Sequence, residues 1–139
     1  MKNYQIVVDT NVVISGVRSK DGASALLLER IGQANFTLNI SIQLFLEYEE
    51  KLHEKTNLEK DEIEKLLAFI FGHATIYESV TRRRPLLSDA DDEMIAELAL
   101  EAKCDAIVTY NKRHFKEIEK FGIEVLNAKE CLQQIGVIT

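Results

Sequence analysis

The sequence predicts an α/β protein, a three-layer α/β/α sandwich around a central, mainly parallel sheet. Three observations carry that expectation. Short β-branched runs alternate with segments of helical periodicity along the whole chain, the pattern of strand–helix–strand units joined by right-handed crossovers. The 139 residues are 46% hydrophobic, enough to pack one core at an ordinary domain size. No repeat, low-complexity segment or linker divides the chain, and its single proline, Pro85, falls in a loop, so residues 1–139 read as one domain.

The elements follow in order. Ile6-Val7-Val8 is a β-branched run expected as a buried strand, stopping at Asp9-Thr10-Asn11. Residues 23–33 read as a helix with Leu26, Leu27, Leu28 and Ile31 available for the core. Residues 36–40 alternate Phe, Leu and Ile with Thr and Asn, a strand pattern. Ser41 can cap a helix running to about residue 55. Residues 58–71 form another, with Ile63, Leu66, Leu67 and Ile70 on one face. Thr75-Ile76-Tyr77 is a short strand. Ser88-Asp89 opens a helix ending near residue 103, and residues 106–109 form a strand. Residues 112–120 make a short helix stopped by Gly122, residues 123–126 a last strand, and residues 128–134 a last helix.

Composition narrows the function. No apolar run approaches the roughly 20 residues of a membrane helix, and the start MKNYQIVVDT lacks the pattern of a signal peptide. A cytoplasmic protein without membrane contact is expected. Cys104 and Cys131 lack CxxC spacing and read as reduced core thiols. The net charge of −6 argues against non-specific electrostatic binding of nucleic acid. A carboxylate cluster built for cations contributes such charge itself, however, and bound cations reverse the local sign. Two basic groups stand out, Arg82-Arg83-Arg84 and Lys112-Arg113-His114 with Lys116, either solvated surface or phosphate contacts.

In open parallel sheets ligands sit beyond the carboxyl ends of the strands. Asp9 directly follows the first strand, where an Asx-turn is its structural alternative. In the helix capped by Ser41, Leu44, Phe45, Tyr48 and Leu52 form the apolar face. At 3.6 residues per turn Glu47 and Glu49 flank that face and Glu50 points away; phase cannot choose between the first two. Asp89, Asp91 and Asp92 crowd the start of the next helix, where acids also serve as caps and dipole partners. Its buried face is Met94, Ile95, Leu98, Ala99 and Ala102. Asp92 falls on the edge of that face, Asp91 near its centre, and Glu93 projects away. Asn111 follows the strand at 106–109 as Asp9 follows the first. The set is rich in oxygen and offers no Cys or His ligand group, which suits Mg²⁺ or Mn²⁺.

Four segments in order carry a family resemblance. IVVDTNVVISGV resembles the opening of PIN domains, SIQLFLEYEEKL their Glu-bearing helix, and DADDEMIAELALEAKCDAIVTYNKRHF their third and fourth motifs. Together they span nearly the whole chain, and the match is most similar to bacterial and archaeal PIN proteins described as toxins of toxin–antitoxin pairs. The resemblance implies a PIN-like fold and metal-binding acids at Asp9, Glu47 and Asp92. It thereby prefers Glu47 to Glu49. It adds Asp89 as an acid common in that subgroup and Thr10 and Asn11 as residues that fix the first loop. The fourth motif departs from the pattern: Asn111 and His114 stand where many or some members carry Asp.

The resemblance further implies a Mg²⁺- or Mn²⁺-dependent endoribonuclease cutting RNA, in a single-stranded region, to a 3′-hydroxyl and a 5′-phosphate. Asp9, Glu47 and Asp92, helped by Asp89 or Asn111, are expected to hold the metal, and Lys112 and Arg113 to contact RNA. A protein antitoxin and a homodimer are the implied partners. The alternative is a PIN-fold module with an impaired site that binds RNA or a partner without cutting. A phosphatase of the haloacid-dehalogenase kind wants a second Asp where Asn11 stands, and neither a P-loop nor a GxGxxG turn is present.

Overall fold

The computed structural model describes residues 2–87 and 92–139. Strand β1 (Tyr4–Val8) is followed by α1 (Thr10–Arg18), α2 (Ala23–Glu29), β2 (Phe36–Ser41), α3 (Ile42–Lys55), α4 (Lys60–His73) and β3 (Ala74–Tyr77). Then come α5 (Glu93–Glu101), β4 (Ala106–Val108), a 3₁₀ helix (Lys112–Phe121), β5 (Glu124–Leu126) and α6 (Ala128–Gln134).

The strands form one parallel sheet in the order β3-β2-β1-β4-β5. Ile6 pairs with Leu38 on one side and Ala106 on the other. The chain builds outward from β1 to β3, then returns to the other side of β1 to lay down β4 and β5. The strand order therefore switches direction between β1 and β4, and the crevice beyond their carboxyl ends is the place for a ligand. The α/β architecture is as the sequence predicted. The central strands read as continuous apolar runs because both faces are covered: Ile6, Val7, Val8, Ile107 and Val108 are at most 2% exposed. Helix α5 packs against β1, β2 and β4, while α3 and α4 cover β2, and α4 also β3.

Most boundaries lie within a few residues of expectation. Ser41 caps α3 by accepting from the Leu44 amide at 3.0 Å, and Gly122 ends the 3₁₀ helix at φ 84°, a left-handed conformation that glycine takes without strain. Helix α2 ends sooner than its leucine pattern suggested, with Gly32 at φ 81° in the turn beyond it. The larger difference is α1, which the sequence did not predict. Its segment TNVVISGVR is rich in β-branched residues, which favour strands. Burial of Val12, Val13 and Ile14 overrides that preference. Cys104 and Cys131 are buried free thiols, and burial pushes both up to about 12.

Candidate active site

One cleft, with a volume of about 680 Å³, opens at the switch point, and Asp9, Thr10, Asn11, Glu47, Asp92, Asn111 and His114 line it. They come from four separate parts of the chain. Asp9 sits at the junction of β1 and α1, where its amide continues the ladder to the Val108 carbonyl at 2.8 Å. Its side chain does not cap α1. Instead it accepts from the Thr109 hydroxyl across the strand gap at 2.7 Å. The residue is 7% exposed, an unusual environment for a carboxylate.

The electrostatics record the convergence of acids. The Asp9 carboxyl is raised from 3.8 to about 6. Loss of solvent is the largest cause; repulsion from Asp92 and Glu47 adds to it, and hydrogen bonding from Thr109 and the Thr10 backbone opposes it. Asp9 thus senses two carboxylates remote from it in sequence across the cleft.

Glu47, half-buried on α3, accepts from the Thr10 hydroxyl. Helical phase left Glu47 and Glu49 equivalent; Glu47 is the one on the cleft wall. Asn11 accepts from the Tyr110 amide at 3.3 Å, tying the start of α1 to the turn after β4. Asp92 lies at the N-terminus of α5, and its Oδ2 is 3.1 Å from Nδ1 of His114. Asn111 is exposed on the rim, its amide donating to the Thr109 hydroxyl at 3.0 Å. Asp89 and Asp91, with the expected helix start at Ser88, lie outside the described residues.

Other placements differ from expectation. Lys112 and Arg113 do not line the cleft. The Lys112 ammonium is held by Glu130 of α6 at 2.7 Å, and Arg113 is exposed elsewhere on the 3₁₀ helix. The basic wall comes instead from Arg18, Lys51 and Lys55, on α1 and α3, with the Lys51 ammonium at the surface 3.2 Å from Glu54 and the Arg18 Nε donating to the Lys55 carbonyl. Helical spacing could have found the lysines: Lys51 is one turn beyond Glu47, and Lys55 one turn further. His114, passed over when the ligand set was read as all oxygen, stands in the cleft.

Glu93 does not project into solvent but is 2% exposed, receiving the Leu86 and Leu87 amides. With Glu97 and Glu101 it laces residues 81–87 along α5. Glu97 accepts from the Arg83 amide and lies 3.4 Å from Arg84, and Arg83 reaches Glu101 at 3.3 Å. Two of the three clustered arginines are thereby engaged with α5 rather than with a ligand.

Two supporting residues carry weaker sequence signals. Thr109, fully buried, joins Asp9 to Asn111; a threonine at the end of the strand beside β1 was the clue. Tyr48 is fully buried in α3 and its hydroxyl donates to the Val8 carbonyl, next to Asp9. Its place in the apolar stripe concealed that role.

Fold and cleft together define an α/β protein with a carboxylate centre at the switch point of a parallel sheet. The family model for the PIN domain matches residues 5–113, and the chain belongs to the PIN-domain family. PIN domains are generally nucleases and generally use divalent metal ions.

The structure of VapBC-1 from nontypeable Haemophilus influenzae aligns with 90% of this chain and 98% of its own, at 16% identity and a TM-score of 0.62. VapBC2 from Rickettsia felis, bound to a DNA fragment from its promoter, aligns over 88% and 98%, at 18% identity and a TM-score of 0.62. FitAB bound to an IR36 DNA fragment aligns over 88% and 94%, at 18% identity and a TM-score of 0.57. At such identities the likeness is one of fold. Among curated proteins none is a significant match.

Proposed function

We propose that this protein is a Mg²⁺- or Mn²⁺-dependent endoribonuclease and the toxin of a toxin–antitoxin pair. The observation that carries the reading is the convergence of Asp9, Glu47 and Asp92, from three separate elements, on one cleft at the sheet's switch point. Carboxylates do not gather out of water at a cost unless a partner offsets it. Among the described residues no three His, Cys, Asp or Glu side chains are already gathered closely enough to grip one ion. The donor chemistry nevertheless fits a hard cation: three carboxylates and the Asn111 side-chain amide line a common space.

Asp9, Glu47 and Asp92, with Asn111, are the residues that would hold one or two ions. When bound, such an ion acidifies a water molecule and offsets charge on the leaving oxygen. The chain's own residues supply the order. Thr109 fixes Asp9, and Thr10 fixes Glu47. Arg18, Lys51 and Lys55 form a cationic wall along which phosphates of a single strand can lie. Hydrolysis breaks the bond between phosphorus and the 3′-oxygen, water adding to phosphorus, and leaves a 3′-hydroxyl and a 5′-phosphate.

The same reading expects a protein antitoxin over the cleft, in keeping with VapBC and FitAB as neighbours in fold. It also expects a homodimer, for which exposed Ile42 and Leu46 on α3 and Phe71 on α4 offer apolar surface, and a cytoplasmic location. No helix among the described residues is long and apolar enough to cross a membrane.

The test is cleavage of RNA in Mg²⁺ or Mn²⁺ by wild type, Asp9→Asn and Asp92→Asn. Loss of cleavage in both variants is expected; equal activity in all three refutes the assignment. Asn111, neutral where an acid would bind more strongly, favours a second reading, a PIN-fold binding module with an impaired site. Titration calorimetry with Mn²⁺ decides between them, since absence of binding at millimolar concentration supports the module.

A further inference from the structure

His114 is placed in the cleft by the 3₁₀ helix. Phe115 and Ile118, both fully buried, anchor the inner face of that helix, and the His114 amide donates to the Asn111 carbonyl at 2.9 Å, closing the turn after β4. The imidazole is thereby held beside α5, with Nδ1 3.1 Å from Asp92 Oδ2 and 37% of the side chain exposed to the cleft and solvent.

That separation has two chemical meanings. It is a hydrogen bond between ring and carboxylate. It is also the spacing of two neighbouring ligands on one ion, because donors at about 2.1 Å and roughly at right angles lie about 3 Å apart. A nitrogen donor changes what the centre selects. Mg²⁺ takes carboxylate, carbonyl and water oxygens, whereas an imidazole nitrogen adds affinity for divalent ions of the first transition row, least for Mn²⁺ and more for Co²⁺ along the Irving–Williams order.

We propose that His114 Nδ1 and Asp92 Oδ2 are adjacent ligands to the same divalent ion, making the centre a mixed nitrogen and oxygen site that prefers Co²⁺, and by a smaller margin Mn²⁺, to Mg²⁺. The inference rests on the metal-dependent reading above and specifies which metal that site selects. His53 and His73, the other two histidines, do not line the cleft, so a nitrogen signal from imidazole on the ion has one source.

The test loads the purified full chain with Mn²⁺ and records pulsed electron paramagnetic resonance, which reads nitrogen bonded to manganese directly. Coupling to ¹⁴N is expected in wild type and is expected to vanish in His114→Asp, which keeps a donor but makes it oxygen. In calorimetry His114→Ala should bind Mn²⁺ roughly tenfold more weakly, while Mg²⁺ affinity changes little. His114→Asp should move preference toward Mg²⁺. Circular dichroism of both variants checks that they fold.

Bound Mn²⁺ with no nitrogen coupling, or coupling that survives in His114→Asp, overturns the inference and leaves the nuclease reading standing. Mn²⁺ that fails to bind wild type, or binds Asp9→Asn equally well, refutes the metal centre itself and the inference with it.

Discussion

Asp9→Asn should make the metal-free protein more stable, and the gain should depend on pH. Asp9 is 7% exposed and its carboxyl is raised from 3.8 to about 6, chiefly by loss of solvent and further by Asp92 and Glu47. Each pKa unit corresponds to about 1.4 kcal/mol of preference for the neutral form, so the shift amounts to about 3 kcal/mol. Because the pKa is raised on folding, the native state holds a proton that the unfolded chain has released between roughly pH 4 and 6. Wild-type stability therefore falls as pH rises through that window, and the full penalty persists above it.

Asparagine does not ionise, is close in shape, and keeps an oxygen for the Thr109 hydroxyl. The variant should match wild type near pH 4 and exceed it by about 3 kcal/mol near pH 8, or roughly 10 °C in Tm for a chain of this size. The assay is urea denaturation in chelator, at constant ionic strength, from about pH 4 to 8. Added Mn²⁺ should reverse the ranking, since an ion that binds only the native wild type stabilises it by mass action. A difference independent of pH, or a variant less stable than wild type near pH 8 without metal, refutes the argument that Asp9 is charged at a cost.

The cationic wall and the segment 81–87 laced along α5 make separate predictions. Lys51→Ala and Arg18→Ala should raise the KM for RNA by about tenfold each, as loss of a phosphate contact does, leave kcat nearly unchanged, and each lower the salt dependence of binding by about one counterion; Lys112→Ala, which removes a side chain outside the cleft, should do neither. Glu97→Ala removes the acceptor for the Arg83 amide and the partner of Arg84. It should lower stability by roughly 2 kcal/mol in urea denaturation while Mn²⁺ affinity holds. Glu97→Gln, which keeps an acceptor oxygen, should cost less.

The position of Asp9 was legible because a β-branched run followed at once by an acid needs only local rules to read. The capped start of α3 and the glycine stop after residues 112–121 were readable for the same reason. Alternation of strands and helices then predicted where a site must lie, and motif resemblance supplied Glu47 where phase alone left Glu49 open. Helix α1 was not legible. Its β-branched residues have weak helical preference, and burial of Val12, Val13 and Ile14 decides its conformation.

Partnership across the fold was equally hidden. That Thr109 serves Asp9, that Thr10 serves Glu47, that the 3₁₀ helix turns His114 onto Asp92 while Lys112 turns to Glu130, and that Glu93 is buried beneath residues 86 and 87 are contacts between distant segments. Local pattern determines which element a residue occupies and roughly which way it faces. Side-chain contacts across elements depend on the packed distances and angles between them, and those exist only once the sheet and its helices have closed on one another.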